Sequence, residues 1–366
     1  MEILKMKDWG LGLGEHVVIA GPCSVETEEQ IDSLCDSFEG KSFINMFRGG
    51  VWKPRTRPGN FEGLGEQALP WLNKVQKRLK IPVCIEVANA THVEAALKHN
   101  IDVLWVGART TVNPFSVQEI ADALKGTDIP VMVKNPINPD MALWVGAIER
   151  LHNVGLHKLA AIHRGFADPY DKIYRNKPNW NLAMQLKLEL PNIEIINDPS
   201  HIAGKADMIK EVSQRAFNFG MDGVMIETHP NPKEAWSDAK QQVTPEALAT
   251  IISEIAFKEK IDLETEVPAN LQELRKSVDH IDEKLIDLLS DRFHLIDQIG
   301  AYKKAHQLSV YQGARWQNVL DNRIAAGVKK DMSEKFMKGL LVAIHDESVK
   351  RQEKQIASKD AVSNVL

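Results

Sequence analysis

Four residues far apart in the chain share a chemistry: Cys23, His201, Glu227 and Asp238 offer one thiolate, one imidazole and two carboxylates. Such a mixed set suits a borderline divalent ion (Mn2+, Fe2+, Co2+ or Zn2+) better than Mg2+, which prefers oxygen ligands alone. Taken singly, Cys23 reads equally as a packed core thiol and His201 as a loop residue. What joins them is position, since Cys23, His201 and Glu227 stand just past short apolar runs and Asp238 lies in the loop behind the last of them. Five cations stand in similar places: Arg48, Lys53, Arg109, Lys134 and Arg164. Each alone could be a surface residue paired with an acid. Gathered in one cavity, they would repel one another and lose hydration unless a polyanion neutralised them. A phosphorylated, carboxylated substrate is the natural candidate.

The elements that must position these residues are eight apolar runs, at 17–20, 43–47, 83–87, 103–106, 131–133, 159–162, 193–196 and 224–226. Segments with helical periodicity lie between them, for example 91–98 and 116–124. Eight strand-helix units in succession suit a (β/α)8 TIM barrel, whose strands are buried on both faces and whose chemistry sits at their carboxyl ends. A doubly wound open sheet is the alternative, weakened because no Gly-x-Gly-x-x-Gly follows the first strand. The chain has 366 residues, 43% of them hydrophobic, which allows one large domain and a small one. Its net charge of −5 argues against nucleic-acid binding, and its three cysteines are too few and too odd for a disulfide framework. Residues 1–15 lack a signal-peptide core, and no run approaches the roughly 20 apolar residues of a membrane span. A cytoplasmic protein with no membrane association is expected.

After a charged stretch at 259–268 that reads as a linker, the pattern becomes purely helical. Leu274, Val278, Ile281, Leu285, Leu288, Leu295, Ile299 and Tyr302 form one stripe, and Arg292 fills its single gap. A helix over 271–304 is too long to bury this stripe within one small domain, so a partner chain is expected. Two further helices are predicted at 313–326 and 333–358. In the last one the apolar line turns polar at Ser348 and Gln352, opposite Arg292 and Lys303. A dimerising coiled coil with one paired core arginine would account for this pattern as well.

The motifs Gly21-Pro22-Cys23-Ser24, Arg48-Gly49-Gly50-Val51-Trp52-Lys53-Pro54-Arg55-Thr56, Gly107-Ala108-Arg109, Asp198-Pro199-Ser200-His201 and Glu227-Thr228-His229-Pro230 resemble a known family. It is the type I, beta-subgroup synthases of 3-deoxy-D-arabino-heptulosonate 7-phosphate (DAHP), and the likeness spans 17–258. The resemblance implies condensation of phosphoenolpyruvate with erythrose 4-phosphate, the first step of aromatic biosynthesis. It implies that Cys23, His201, Glu227 and Asp238 hold the metal and that Arg109, Lys134 and Arg164 hold the phosphoenolpyruvate phosphate. Arg48 and Lys53 would lie near its carboxylate and reacting carbons, Lys53 as proton donor, and Arg55 and Thr56 would take the aldose phosphate. The related 3-deoxy-D-manno-octulosonate 8-phosphate synthases carry Lys-Ala-Asn-Arg-Ser-Ser where this chain has Lys53-Pro54-Arg55-Thr56, which favours the four-carbon sugar. Thr110 departs from the asparagine common after Gly-Ala-Arg.

The stretch 271–354 resembles the all-helical chorismate mutase domain, opening with Leu274-Arg275-Lys276-Ser277-Val278-Asp279-His280-Ile281-Asp282. The resemblance implies rearrangement of chorismate to prephenate in a homodimer. Arg275 (reaching into the partner's site), Arg292 and Arg315 would bind carboxylates, Ser348 would touch one, and Lys303 and Gln352 would face the ether oxygen. Gln312 and Trp316 depart from the aspartate and glutamate usual there. The expected organisation is therefore a synthase barrel at 1–258, a linker at 259–268 and a mutase domain at 269–366. The alternative is a synthase with a non-catalytic, dimerising sensor. With the first strand already at Val17, the helical domain is also expected to serve as the feedback sensor for chorismate or prephenate.

Overall fold

The computed structural model describes residues 1–54, 59, 61–257 and 268–357. The chain divides into two compact units, Met1–Lys260 and Ile261–Leu366. Residues 259–267 of the linker expected at 259–268 lie outside the described residues, as do Arg55 and Thr56.

The first unit is a closed barrel of eight parallel strands in chain order. They are β1 (Val17–Gly21), β2 (Met46–Gly49), β3 (Val83–Val87), β4 (Val103–Val106), β5 (Val131–Lys134), β6 (Leu159–His163), β7 (Glu194–Asn197) and β8 (Gly223–Glu227). Closure is made by β1 against β8, from Val17 opposite Gly223 to Gly21 opposite Glu227. The open-sheet alternative is thereby excluded. All eight apolar runs became strands, but β2 starts three residues later than the run at 43–47. Asn45 explains the delay, because its side-chain oxygen accepts from Val18 N at 2.8 Å in place of a strand partner.

Around the barrel lie α1 (Glu28–Phe38), α2 (Leu69–Leu79), α3 (Ala90–Lys98), α4 (Ala108–Thr111), α5 (Pro114–Leu124), α6 (Met141–Asn153), α7 (Trp180–Glu189), α8 (Pro199–Ala203), α9 (Ile209–Asn218) and α10 (Pro245–Glu254). Several begin at a residue whose side chain accepts from the first-turn N–H groups, among them Thr27, Asn89, Asn113, Asp140 and Thr244. Two apolar layers result. Val18, Ala20, Phe47, Ile85 and Leu104 pack outward against the helices, whereas Ile19, Met46, Cys84, Trp105, Met132, Ile162 and Met225 fill the barrel interior.

The inner layer fixes the site. Side chains alternate along a strand, so the residue two beyond an interior one also points inward. From Met46, Cys84, Met132, Ile162 and Met225 that step gives Arg48, Glu86, Lys134, Arg164 and Glu227. Four of these, Arg48, Glu86, Lys134 and Glu227, belong to the last residues of their strands and not to the loops beyond: β2, β5 and β8 run one or two residues past their apolar runs, and Glu86 lies within its own.

The second unit holds α11 (Ala269–Ala305), α12 (Gly313–Val328) and α13 (Glu334–Ala357). α13 packs along α11 and against α12. Gly300 marks a close approach, since a β-carbon there would lie 3.2 Å from Gln352 Cα. In the single chain the stripe on α11 stays open to solvent, with Leu274 65%, Leu288 64% and Leu295 59% exposed. No helix among the described residues is long and apolar enough to cross a membrane.

Candidate active site

At the barrel mouth, Cys23 Sγ and one carboxylate oxygen each of Glu227 and Asp238 lie within 4.8 Å of one another. Cys23 follows β1, Glu227 ends β8, and Asp238 sits in the loop behind β8 in a left-handed conformation, φ 44°. His201, on α8, adjoins this trio, with Nδ1 3.9 Å from Glu227 Oε1 and 2.8 Å from Asp198. Asp198 places it, by accepting from His201 N at 3.1 Å as the cap of α8. Three of the four expected ligands thus converge, and the fourth stands beside one of them.

The donor set fits a divalent cation. Glu227 Oε1 and His201 Nδ1 are buried, and although each faces an ion-pair partner, neither has a hydrogen bond of sound geometry. Burial, reinforced by Glu227, pushes the Cys23 thiol up to about 12, so the thiolate needs a nearby positive charge. Burial also works against the Glu227 carboxylate, but His201, Arg48 and Lys53 outweigh it and hold the group below its ordinary value.

The five cations are arranged in two ways. Arg48 Nη2 is 3.1 Å from Glu227 Oε1 and Lys134 Nζ is 2.9 Å from Asp198 Oδ2, both pairs buried. Both also lie over the indole of Trp105, at 5.2 and 5.5 Å from its centroid. Two of the expected cations are therefore balanced by the protein's own acids, and their charge alone does not call for a polyanion. The others form a different group. Arg164 donates to Asn176 Oδ1 at 2.8 Å, and burial, with Arg175 and Arg109 acting the same way, pulls its guanidinium down to about 10. Arg164 thus carries positive charge that an anion would relieve, and Arg109 lies exposed on α4. Lys53 donates to Cys23 O at 3.0 Å and reaches Sγ at 2.9 Å.

Sequence reasoning overlooked Trp105, Asn176 and Arg175. Trp105 sits inside an apolar run, and its signal is parity with the interior residue Val103. Its Nε1 donates to Glu86 Oε2 at 2.8 Å, and Glu86 in turn leaves room only for Gly107, where a β-carbon would lie 2.1 Å from Oε1. Arg175 and Asn176 belong to the long segment between β6 and α7, which has no periodicity to read.

In the helical unit, Arg292 Nη1 donates to Ser348 Oγ at 2.8 Å, and Gln352 Nε2 to Ser348 O at 3.2 Å. Gln352 Oε1 is buried without a partner. Lys303 is buried, and its ammonium turns to Val310 O at 2.6 Å. Arg292 is exposed in the single chain, and so are Arg275 and Arg315, so these three are not enclosed with Ser348 and Gln352. Trp316 stacks on His345, with centroids 3.8 Å apart.

A barrel with cations and a thiol-carboxylate set at its mouth, followed by a helical unit with an arginine on its long helix, defines a two-part enzyme acting on anionic substrates. Residues 3–262 match the model of the DAHP synthetase I family, and the chain belongs to that family. Residues 274–353 match chorismate mutase type II, which makes the whole a bifunctional enzyme of the shikimate pathway. A phospho-2-dehydro-3-deoxyheptonate aldolase of Thermotoga maritima is 28% identical over 253 residues, covering 69% of this chain and 72% of that protein. A 2-dehydro-3-deoxyphosphooctonate aldolase of Desulfatibacillum aliphaticivorans is 25% identical over 272 residues, covering 67% of this chain and 93% of that protein. A crystal structure of the Thermotoga maritima enzyme superposes with a TM-score of 0.58 at 26% identity, covering 68% of this chain and 71% of that one.

Proposed function

We propose that the barrel mouth condenses phosphoenolpyruvate with erythrose 4-phosphate, and that Cys23, His201, Glu227 and Asp238 hold the metal there. The observation that supports this most is the inward register, which gathers the end residues of different strands around one thiol-carboxylate set. When bound, the metal supplies Lewis-acid polarisation of the aldehyde carbonyl. The chain's own residues do the rest. Arg109, Lys134 and Arg164 hold the phosphate of phosphoenolpyruvate, and Arg48 orients its carboxylate so that C3 attacks the aldehyde carbon, water adds at C2 and the C2–O bond to phosphate then breaks, releasing inorganic phosphate. Lys53, whose ammonium Cys23 and Glu227 keep charged despite burial, is the proton donor to the developing alkoxide. Arg55 and Thr56 take the aldose phosphate; with Lys53 and Pro54 they form the segment that favours the four-carbon sugar. Cys23→Ser in the full chain should weaken Co2+ or Mn2+ binding and abolish condensation while prephenate formation continues. Full synthase activity after exhaustive chelation would refute the metal assignment.

The helical unit rearranges chorismate to prephenate, a reaction that needs a shaped, cation-lined cavity and no general acid or base. Arg275, Arg292, Arg315 and Ser348 hold the carboxylates, and Lys303 and Gln352 face the ether oxygen. The Arg292–Ser348 contact and the burial of Lys303, Ser348 and Gln352 support this assignment. The open stripe on α11 supports a homodimer, in which Arg275 reaches the partner's site. The protein acts in the cytoplasm, and the helical unit also senses prephenate or chorismate as a feedback signal. A tenfold inhibition requires a differential affinity of only about 1.4 kcal/mol between two states. Titrating prephenate against DAHP formation, in the full chain and in a protein ending near residue 258, tests the sensor. Equal inhibition of both, or of neither, would count against it.

A further inference from the structure

Each member of the thiol-carboxylate trio has a cation against it. Lys53 Nζ lies 2.9 Å from Cys23 Sγ, Arg48 Nη2 3.1 Å from Glu227 Oε1, and Arg175 Nη1 3.0 Å from Asp238 Oδ1. The three differ in freedom. The Arg48 side chain is 2% exposed, whereas that of Arg175 is 45% exposed, so Arg175 can leave its acid toward water. The other oxygen of the same carboxylate, Asp238 Oδ2, lies 3.4 Å from Cys23 Sγ, so Asp238 is shared between Arg175 and the ligand set.

Arg175 is also anchored from behind. Asn176 N donates to Ile202 O at 3.2 Å and Asn176 Nδ2 to His201 O at 2.7 Å, which docks this pair of residues on the helix that carries His201. The guanidinium reaches Gln241 as well, whose own amide donates to Glu227 Oε2 at 2.7 Å. The arginine, 45% exposed, therefore touches the metal set from its solvent side.

We propose that Arg175 is a counter-ion gate for metal exchange: it holds Asp238 when no ion is bound and turns out to solvent when a divalent cation takes the carboxylate. The inference rests on the reading of Cys23, His201, Glu227 and Asp238 as the metal set. Its physical basis is charge exchange. A divalent ion beside a fixed guanidinium meets repulsion that a weakly screened site does not dissipate, and moving the guanidinium outward relieves it. Arg175 would therefore lower affinity and slow exchange while keeping the ligands in place.

The test is a titration of the full chain with Co2+ alone against a competing chelator, followed by the near-ultraviolet absorption of the cobalt–thiolate pair. Arg175→Gln should bind Co2+ at least fivefold more tightly and equilibrate with chelator faster, whereas Arg175→Lys, which keeps the charge, should stay within about twofold of wild type. Unchanged or weaker binding by Arg175→Gln, or equal tightening by Arg175→Lys, would overturn the gate. A wild-type chain with no cobalt–thiolate band would overturn the metal set itself, and the gate with it. Thermal melting and prephenate formation by each variant report that the chain is intact.

Discussion

Arg292 is the residue whose two readings differ most in consequence. As a tolerated core oddity it would merely fill a gap in an apolar stripe; as a substrate ligand it would provide fixed positive charge. Its contact with Ser348 Oγ, on the helix that also carries Gln352, favours the second. Arg292→Ala should then lower prephenate formation by about 2 to 4 kcal/mol of transition-state stabilisation, with condensation unchanged. Measuring kcat/KM for both reactions on one preparation decides it, and wild-type prephenate formation would return Arg292 to the first reading. Trp316 shows what spacing alone could not reveal. It replaces a residue type expected to be acidic, and only the structure shows its indole engaged with His345.

Among the elements, β6 carries a pH dependence of its own. His163 ends that strand fully buried, with Nε2 2.5 Å from Pro178 O and Nδ1 3.1 Å from the Asn197 amide nitrogen. The neutral tautomer satisfies both contacts, and burial depresses the imidazole to about 4. Between about 6.5, the unfolded value, and that folded value, the unfolded chain binds the extra proton. Stability is thus full above this window and is lost as pH falls through it, by about 2 kcal/mol at pH 5. Urea unfolding of the barrel at pH 7 and pH 5 should show a smaller difference in His163→Asn than in wild type; equal differences would exclude His163 as the source. The strands were legible because a parallel strand buried on both faces is a continuous apolar run. Their ends were less so. Asn45 diverts the β1–β2 ladder through its side chain, and Arg48, Lys134 and Glu227 are charged residues kept in strands by partners that come from distant positions. Arg175 was invisible for the same reason, since its meaning depends on Asp238, brought near by the fold.

For the molecule as a whole, the two units differ in how they are held together. The barrel has two apolar layers, whereas among the described residues of the helical unit Met337 is the one buried apolar side chain. The uncovered stripe on α11 therefore has a consequence in mass action. If a second chain supplies most of the helical unit's core, its folded fraction depends on protein concentration, while the barrel's does not. The two activities should then scale differently on dilution: the specific rate of prephenate formation should fall toward low nanomolar enzyme, while that of DAHP formation stays level. A chain whose two specific rates stayed in constant ratio across a thousandfold dilution would exclude a weak dimer. Where the ratio does change, one gene product would set the balance of an early and a later step by its abundance alone.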